Sequence, residues 1–444
     1  MGPFRFGLFL TGVIWFNALQ AENLTQVYTL AVQNDPTLQQ AYAVLQANRQ
    51  QLPLAIAQMV PNLSANYSTT ANRTSQDVPS ILVANGGYNT QNYGITLNQP
   101  IYHPEHWAQL EQSRHVVKAA EASYLSAAQN LIVRVTDQYF KILGSIDDLD
   151  FARGQTKAFS REYEQAKQRF DVGLIAITDV ESAKAQFDNA RATEISAENT
   201  VADQYEELRK IVGQPIKQIE LFPVSKPLEL LPPSPNQQEV WVDTAHQYNL
   251  DVITAKENAG QFKAAIGTQV SGHFPKFDLQ ANVQRVKSAP PFEDLVLNRS
   301  VTLNVTVPLF AGGSTIFSTR QASARYDEAM EKLEAQQRLT DANTRESFRG
   351  VLTAISRVDA LAQAVISNES SLKSTKAAYE VGTRTIVDVL NSESSLLGAK
   401  RDHAKSRYDY LLQGLKLKQA AGTLASEDLY CVTDIMAGKV KASS

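Results

Sequence analysis

The chain has almost no cysteine, no apolar run long enough to cross a membrane as a helix and, over most of its length, no proline. Its only cysteine, Cys431, excludes a disulfide framework and lies far from the start, so it cannot carry a lipid at an exported N-terminus. Charge of one sign is also missing. The 42 basic and 46 acidic residues leave a formal charge of -4, which fits neither a nucleic-acid binder nor a disordered polyelectrolyte. No glycine-rich phosphate loop, nucleophile elbow or pair of catalytic carboxylates stands out, so no catalytic residue, cofactor or metal is assigned.

The first 21 residues carry Arg5, an apolar run from Phe6 to Leu19 and then Ala21. This pattern reads as a secretory signal peptide cleaved before Glu22. The run is shorter than the roughly 20 residues of a spanning helix. Nothing later is apolar enough to be one, so a membrane span would have to be built from strands.

Proline is absent between Pro104 and Pro215 and after Pro308, whereas six prolines fall between Pro215 and Pro235. The proline-free tracts have helical periodicity. Leu110, Val117, Tyr124 and Leu131 recur at every seventh position, as do Ala128, Val135, Ile142 and Leu149. Later, Val351, Val358, Val365, Leu372 and Tyr379 repeat the spacing, followed by Leu390, Leu397, Ala404 and Leu411. A continuous helix from Pro104 to Asp171 would reach about 100 Å at 1.5 Å per residue, too long to bury its apolar stripe without neighbours along its length.

The chain also repeats itself. Phe170-Asp-Val-Gly173-Leu-Ile-Ala-Ile-Thr-Asp179-Val returns as Tyr379-Glu-Val-Gly382-Thr-Arg-Thr-Ile-Val-Asp388-Val. Pro100-Ile-Tyr answers Pro308-Leu-Phe, Pro61-Asn-Leu answers Pro275-Lys-Phe, and Leu208 to Gly213 answers Leu417 to Gly422, at offsets of 208, 214 and 209. A period near half the chain length means two similar halves, not a stacked solenoid. At Gly173 and Gly382 the helical pattern breaks and restarts, which places the repeated motif at the tip of an antiparallel helical hairpin.

Before each long helix the period changes to two. Leu63, Ala65 and Tyr67 alternate with polar residues, and so do Tyr93, Ile95 and Leu97; the second half repeats this with Phe277, Leu279, Ala281 and Val283, then Val301, Leu303, Val305 and Val307. These are two β-hairpins with one apolar and one polar face and with aromatics such as Tyr67, Tyr102, Phe274 and Phe310. That pattern suits strands that cross a membrane beside water, and it is also compatible with two soluble hairpins of an exported domain. Four strands do not close a barrel in lipid. A membrane reading therefore requires an oligomer, and a trimer would supply twelve strands.

Taken together, the order of signal peptide, hairpin, long helix, tip and return helix, all repeated, resembles the TolC family of outer-membrane exit ducts. The residues that carry the resemblance are Glu22-Asn-Leu-Thr-Gln-Val-Tyr28, Gly272-His-Phe-Pro-Lys-Phe-Asp-Leu279, Arg169 to Val180 and Val381 to Leu390. It covers nearly the whole mature chain, and the missing N-terminal cysteine matches members without a lipid anchor. The resemblance implies an α+β membrane protein: a trimeric twelve-stranded β-barrel joined to a long α-helical periplasmic barrel. In this reading residues 22–212 form the first repeat, with strands near 61–78 and 88–102. Residues 213–244 form a proline-rich equatorial link, and 245–422 the second repeat, with strands near 273–287 and 299–310. Residues 423–444 form a C-terminal equatorial segment and tail.

The resemblance further implies a passive channel in the outer membrane, serving efflux, type I protein secretion or both. Its partners would be two more copies of itself, outer-membrane lipid, a periplasmic adaptor and an inner-membrane pump of the RND, ABC or MFS type. The adaptor would dock at the tips around Gly173 and Gly382. A closing latch is implied at Thr178, Asp179, Tyr379 and Arg384, with Tyr379 bonding Asp179 in one chain and Arg384 reaching Thr178 and Asp179 of a neighbour. Asp388 would line the constriction, with Asn391 one turn later where the member of the family that the chain most resembles carries a second aspartate. From the residues alone, Asp179 and Asp388 are equally compatible with capping or solvating helix starts. The rival reading for the whole chain is a soluble periplasmic coiled-coil adaptor or scaffold, which has no use for amphipathic strands. Three other features are set aside: His103 and His106, which frame Pro104 and Glu105 at a spacing that could hold a metal but fall at a strand-to-helix junction with no third ligand in sequence; Asp147, Asp148 and Asp150, read as a solvated helix face; and Lys416 with Lys418.

Overall fold

Pro104 opens the longest helix of the molecule and Asp171 closes it, the limits that proline placement and heptad spacing indicate. The structure is a computed structural model that describes residues 22–74, 86–216, 218–220, 228–287 and 295–437. The leader of residues 1–21, residues 75–78 of the first expected strand and the tail from 438 lie outside the described residues. In chain order the elements are α1 (Leu24–Asn34), α2 (Pro36–Arg49), α3 (Gln51–Ala57), β1 (Asn62–Thr74), β2 (Gly86–Tyr102), α4 (Pro104–Asp171) and α5 (Ile177–Val212). They continue as α6 (Gln238–Tyr248), α7 (Leu250–Val270), β3 (Lys276–Lys287), β4 (Leu295–Thr306), α8 (Ser314–Glu380), α9 (Ile386–Ala420) and α10 (Ser426–Ala437).

The strands form one antiparallel sheet in the order β1-β2-β3-β4. Its register brings like residues together: Leu63 faces Leu97, Ala65 faces Ile95, Tyr67 faces Tyr93, Ile95 faces Val283 and Leu279 faces Leu303. One face is therefore largely apolar, interrupted by Arg285 and Arg299, and it is uncovered, with Leu63, Ile95, Val301 and Leu303 more than half exposed. Asn66, Asn98, Asn282, Gln280 and Thr302 occupy the other face. Strand β4 stops at Thr306, short of the expected 310, because Pro308 has no N–H to donate to a ladder. It begins at Leu295, four residues before the expected start.

Helices α4 and α5 form one long hairpin and α8 and α9 the other. Along α4, Ser145, Ala152, Phe159 and Ala166 are buried at every seventh position, and Val135, Ile142 and Leu149 form the adjoining stripe. By length and composition α8 is apolar enough to cross a membrane, contrary to the expectation that no such helix exists. It instead packs against α9 and α7, and Val351 and Val358 are buried.

The main core lies where the two hairpins meet the short helices. Leu131, Val135, Tyr139 and Ile142 of α4 pack with Leu208 and Val212 of α5, Leu411 and Leu415 of α9, Val27 of α1 and Leu429 of α10. The proline-rich link closes over this core. Glu22 and Ile219 form a parallel bridge, and Tyr139 Oη donates to Glu220 O at 2.8 Å. The link is not wholly irregular, since α6 begins within it at Gln238.

The acidic cluster on α4 differs from its expected solvated state. Tyr408 Oη donates to Asp147 at 2.9 Å and Lys405 Nζ to Asp148 at 2.7 Å, so both carboxylates turn toward α9 and only Asp150 faces out. Burial, reinforced by Asp150 and Asp148, pushes Asp147 up to about 6. The folded chain thus keeps a proton that the unfolded chain has already released. Stability is then highest below the ordinary carboxylate value and falls as the pH rises through it to about 6. Asp147→Asn, which still accepts from Tyr408, is expected to remove this fall; equal pH profiles of thermal unfolding for variant and wild type would refute it.

Candidate functional site at the helical tips

Each long hairpin turns on a glycine. Gly173 and Gly382 have φ of 75° and 77°, in the left-handed region that a Cβ disfavours. At the first tip Leu174 N–H donates to Arg169 O at 2.8 Å; at the second Thr383 N–H donates to Ala378 O at 2.9 Å. Both helices therefore end in the same glycine-terminated cap, which explains why the motif recurs.

The helices that follow start differently. Thr385 Oγ1 accepts from Asp388 N–H at 3.3 Å, while the Asp388 carboxylate takes both the Thr385 N–H and its hydroxyl at 2.9 Å. This is a reciprocal capping box. The equivalent position before α5 is Ala176, which has no side chain to cap with. Hydrogen bonds from the Thr385 backbone and hydroxyl, with Arg384 beside them, hold Asp388 below the usual carboxylate range. Asp388 therefore caps α9, as an acidic residue at a helix start does, and remains ionised wherever an ordinary aspartate is.

Tyr379 does not meet Asp179 as the resemblance implies. Its hydroxyl accepts a hydrogen bond from Arg169 Nη1, and the Arg169 guanidinium lies 5.1 Å from the ring centroid. Arg169 sits in the last turn of α4, where the helix dipole favours a cation, and from there it reaches across to α8. Arg384 turns to its own hairpin, 3.9 Å from Asp388. Thr178 is exposed and Asp179 part-exposed in the first turn of α5; Asn391 is exposed one turn beyond Asp388. Within one chain, then, Arg384 is not brought to Thr178 and Asp179.

Two further residues belong to this region. Arg169 links the hairpins, yet the repeat gives no sign of it, because its counterpart is Ala378. Glu162 Oε2 is buried without a hydrogen-bond partner, and burial together with Glu393 raises the group above its ordinary range. Lys376 lies 3.6 Å from Glu393, and Ser392 bonds Thr375, so α8 and α9 are fastened to each other just behind the tip.

A sequence profile described as outer membrane efflux protein matches residues 27–214 and 241–423, one stretch for each half of the repeat. The chain belongs to the outer membrane efflux protein family. It is 34% identical over 437 residues to the outer membrane protein TolC of Vibrio cholerae, with 95% of each chain covered. It is 26% identical over 419 residues to the alkaline protease secretion protein AprF of Pseudomonas aeruginosa, covering 93% of this chain and 87% of the relative. Among solved structures the Campylobacter jejuni CmeC outer membrane channel superposes with a TM-score of 0.79 at 16% identity, covering 93% of this chain and 89% of that one. That last likeness concerns the fold alone: a strand domain set on long helical hairpins. As an outer membrane efflux protein, this chain is an outer-membrane channel of the class that serves efflux and type I secretion.

Proposed function

We propose that three copies of this outer membrane efflux protein close a twelve-stranded barrel and that their six helical hairpins form a periplasmic tunnel gated at the tips. The observation that carries this reading is the sheet: an uncovered apolar face and two unpaired outer strands, set on helices that extend about 100 Å. A soluble adaptor would have no means of covering that face. The duct is passive, and energy comes from an inner-membrane pump. A periplasmic adaptor docks on the grooves beside Gly173 and Gly382; the repeat supplies six similar grooves per trimer. The cargo is small toxic compounds, secreted proteins or both, with the choice made by the pump.

The tips hold the closed state. Arg169 and Tyr379 join the two hairpins inside each chain, while Arg384 reaches Thr178 and Asp179 of the neighbouring chain. Hydrogen bonds between charged partners are strong enough to hold a bistable element yet can be replaced by contacts to a docked adaptor. Threefold symmetry turns Asp388 into a ring of carboxylates at the constriction, favouring cations and binding multivalent ones. Asn391 leaves the next ring uncharged.

Asp179→Ala combined with Arg384→Ser is expected to raise single-channel conductance in planar bilayers; a double variant that conducts like wild type would sink the latch. Asn391→Asp adds a second carboxylate ring and should tighten block by a trivalent cation. If block is unaltered, residue 391 does not face the pore.

A further inference from the structure

Where β2 ends and α4 begins, five chemistry-bearing side chains converge outside the gate. The pairing of β2 with β3 slips between Pro100 and Tyr102, which brings Asp278 and Lys276 of β3 beside the start of α4. His103 Nδ1 lies 3.2 Å from Glu105 Oε1, and its Nε2 lies 3.0 Å from Asp278 Oδ1. The His106 ring stacks on His103, with centroids 4.7 Å apart at 11°. One donor atom from each of His103, Glu105 and His106 falls within 4.8 Å of the others. Lys276 Nζ donates to Glu105 Oε1, while Glu105 Oε2 is buried with no hydrogen-bond partner. His103 and Glu105 are only 13% and 14% exposed, so these are not freely solvated groups.

The cluster can hold a cation. With Nε2–H donated to Asp278, the His103 Nδ1 lone pair and the Glu105 carboxylate 3.2 Å away form two acceptors that one cation can share, a place that Lys276 Nζ takes at Glu105 Oε1 in this structure. A histidine held by a carboxylate through its other ring nitrogen is the usual geometry of a metal ligand, because the carboxylate sets tautomer and ring orientation. Two imidazoles and a carboxylate suit zinc and its neighbours and suit magnesium or calcium poorly. The sequence hid only the orienting carboxylate, because Asp278 lies 175 residues from His103.

We propose that His103 Nδ1, His106 and Glu105 bind one divalent transition cation per chain, with Asp278 orienting His103 and Lys276 standing in for the cation in its absence. The ion would sit at the start of α4, in the first repeat, and rest against β3, in the second, through the Asp278 carboxylate that orients His103. The site stands apart from the gate and does not depend on how the tips open.

The test is calorimetric titration of zinc chloride into detergent-solubilised, tag-free full-length protein near neutral pH, with magnesium chloride as control. One saturable zinc per chain and no magnesium uptake are expected. Asp278→Asn should weaken zinc binding about 10–100-fold, the usual effect of losing a ligand-orienting carboxylate. Lys276→Met keeps every ligand and removes the competing cation, so it should tighten binding. Zinc uptake that is unsaturable, that is unaffected by His106→Gln, or that is not strengthened by Lys276→Met would overturn the proposal. The last variant separates a metal site from a purely polar cluster: in a cluster without a metal role, loss of Lys276 lowers the melting temperature and leaves zinc affinity unchanged.

Discussion

The backbone of two strands governs everything else in this molecule. Strands β1 and β4 each present an outer row of N–H and C=O groups with no strand paired to it among the described residues. In water such an edge is tolerable; in hydrocarbon each unsatisfied group costs several kcal/mol. The apolar face formed by Leu63, Ile95, Val301 and Leu303 draws the sheet into lipid, and the open edges then forbid it from being there alone. Pairing of β1 with β4 of the next copy resolves both demands. It also fixes the number and placement of the helical hairpins below, because each sheet leads directly into α4 and α8.

Duplication explains the regularity of that lower part, and departures from it mark where function resides. Both tips use the same glycine-terminated cap, so both hairpins reverse in the same way. They diverge in the side chains around that turn. The second tip has Thr385 and Asp388 bound in a capping box, and the first has Ala176 and an uncapped α5. The first tip contributes Arg169, and the second contributes Tyr379 to receive it. Two elements built alike thus present complementary chemistry to each other across Arg169 and Tyr379.

Much of this architecture was legible in the sequence because it rests on strong periodic signals. Pro104, the heptad series and Gly173 delimit α4 and its turn without reference to any contact. Alternation in Tyr93, Ile95 and Leu97 reveals both the strand and its apolar face. Contacts between distant side chains were another matter. Asp147 looks like a solvated helix residue until Tyr408 of α9 is placed against it, and Arg169 has no charged counterpart in the repeat. The bond expected between Tyr379 and Asp179 is replaced by the one to Arg169, since a guanidinium at a helix C-terminus both bonds the hydroxyl and covers the ring. Asp278 and His103 meet beside the register slip where β2 pairs with β3, and no spacing rule encodes that.

The central claim is that the sheet is completed between chains. The molar mass of the protein extracted by detergent from isolated outer membranes, corrected for bound detergent, addresses it directly. Three copies per particle are expected if β1 and β4 edges pair around a closed barrel. A monomer, or recovery of the protein in the soluble fraction without detergent, would contradict the account.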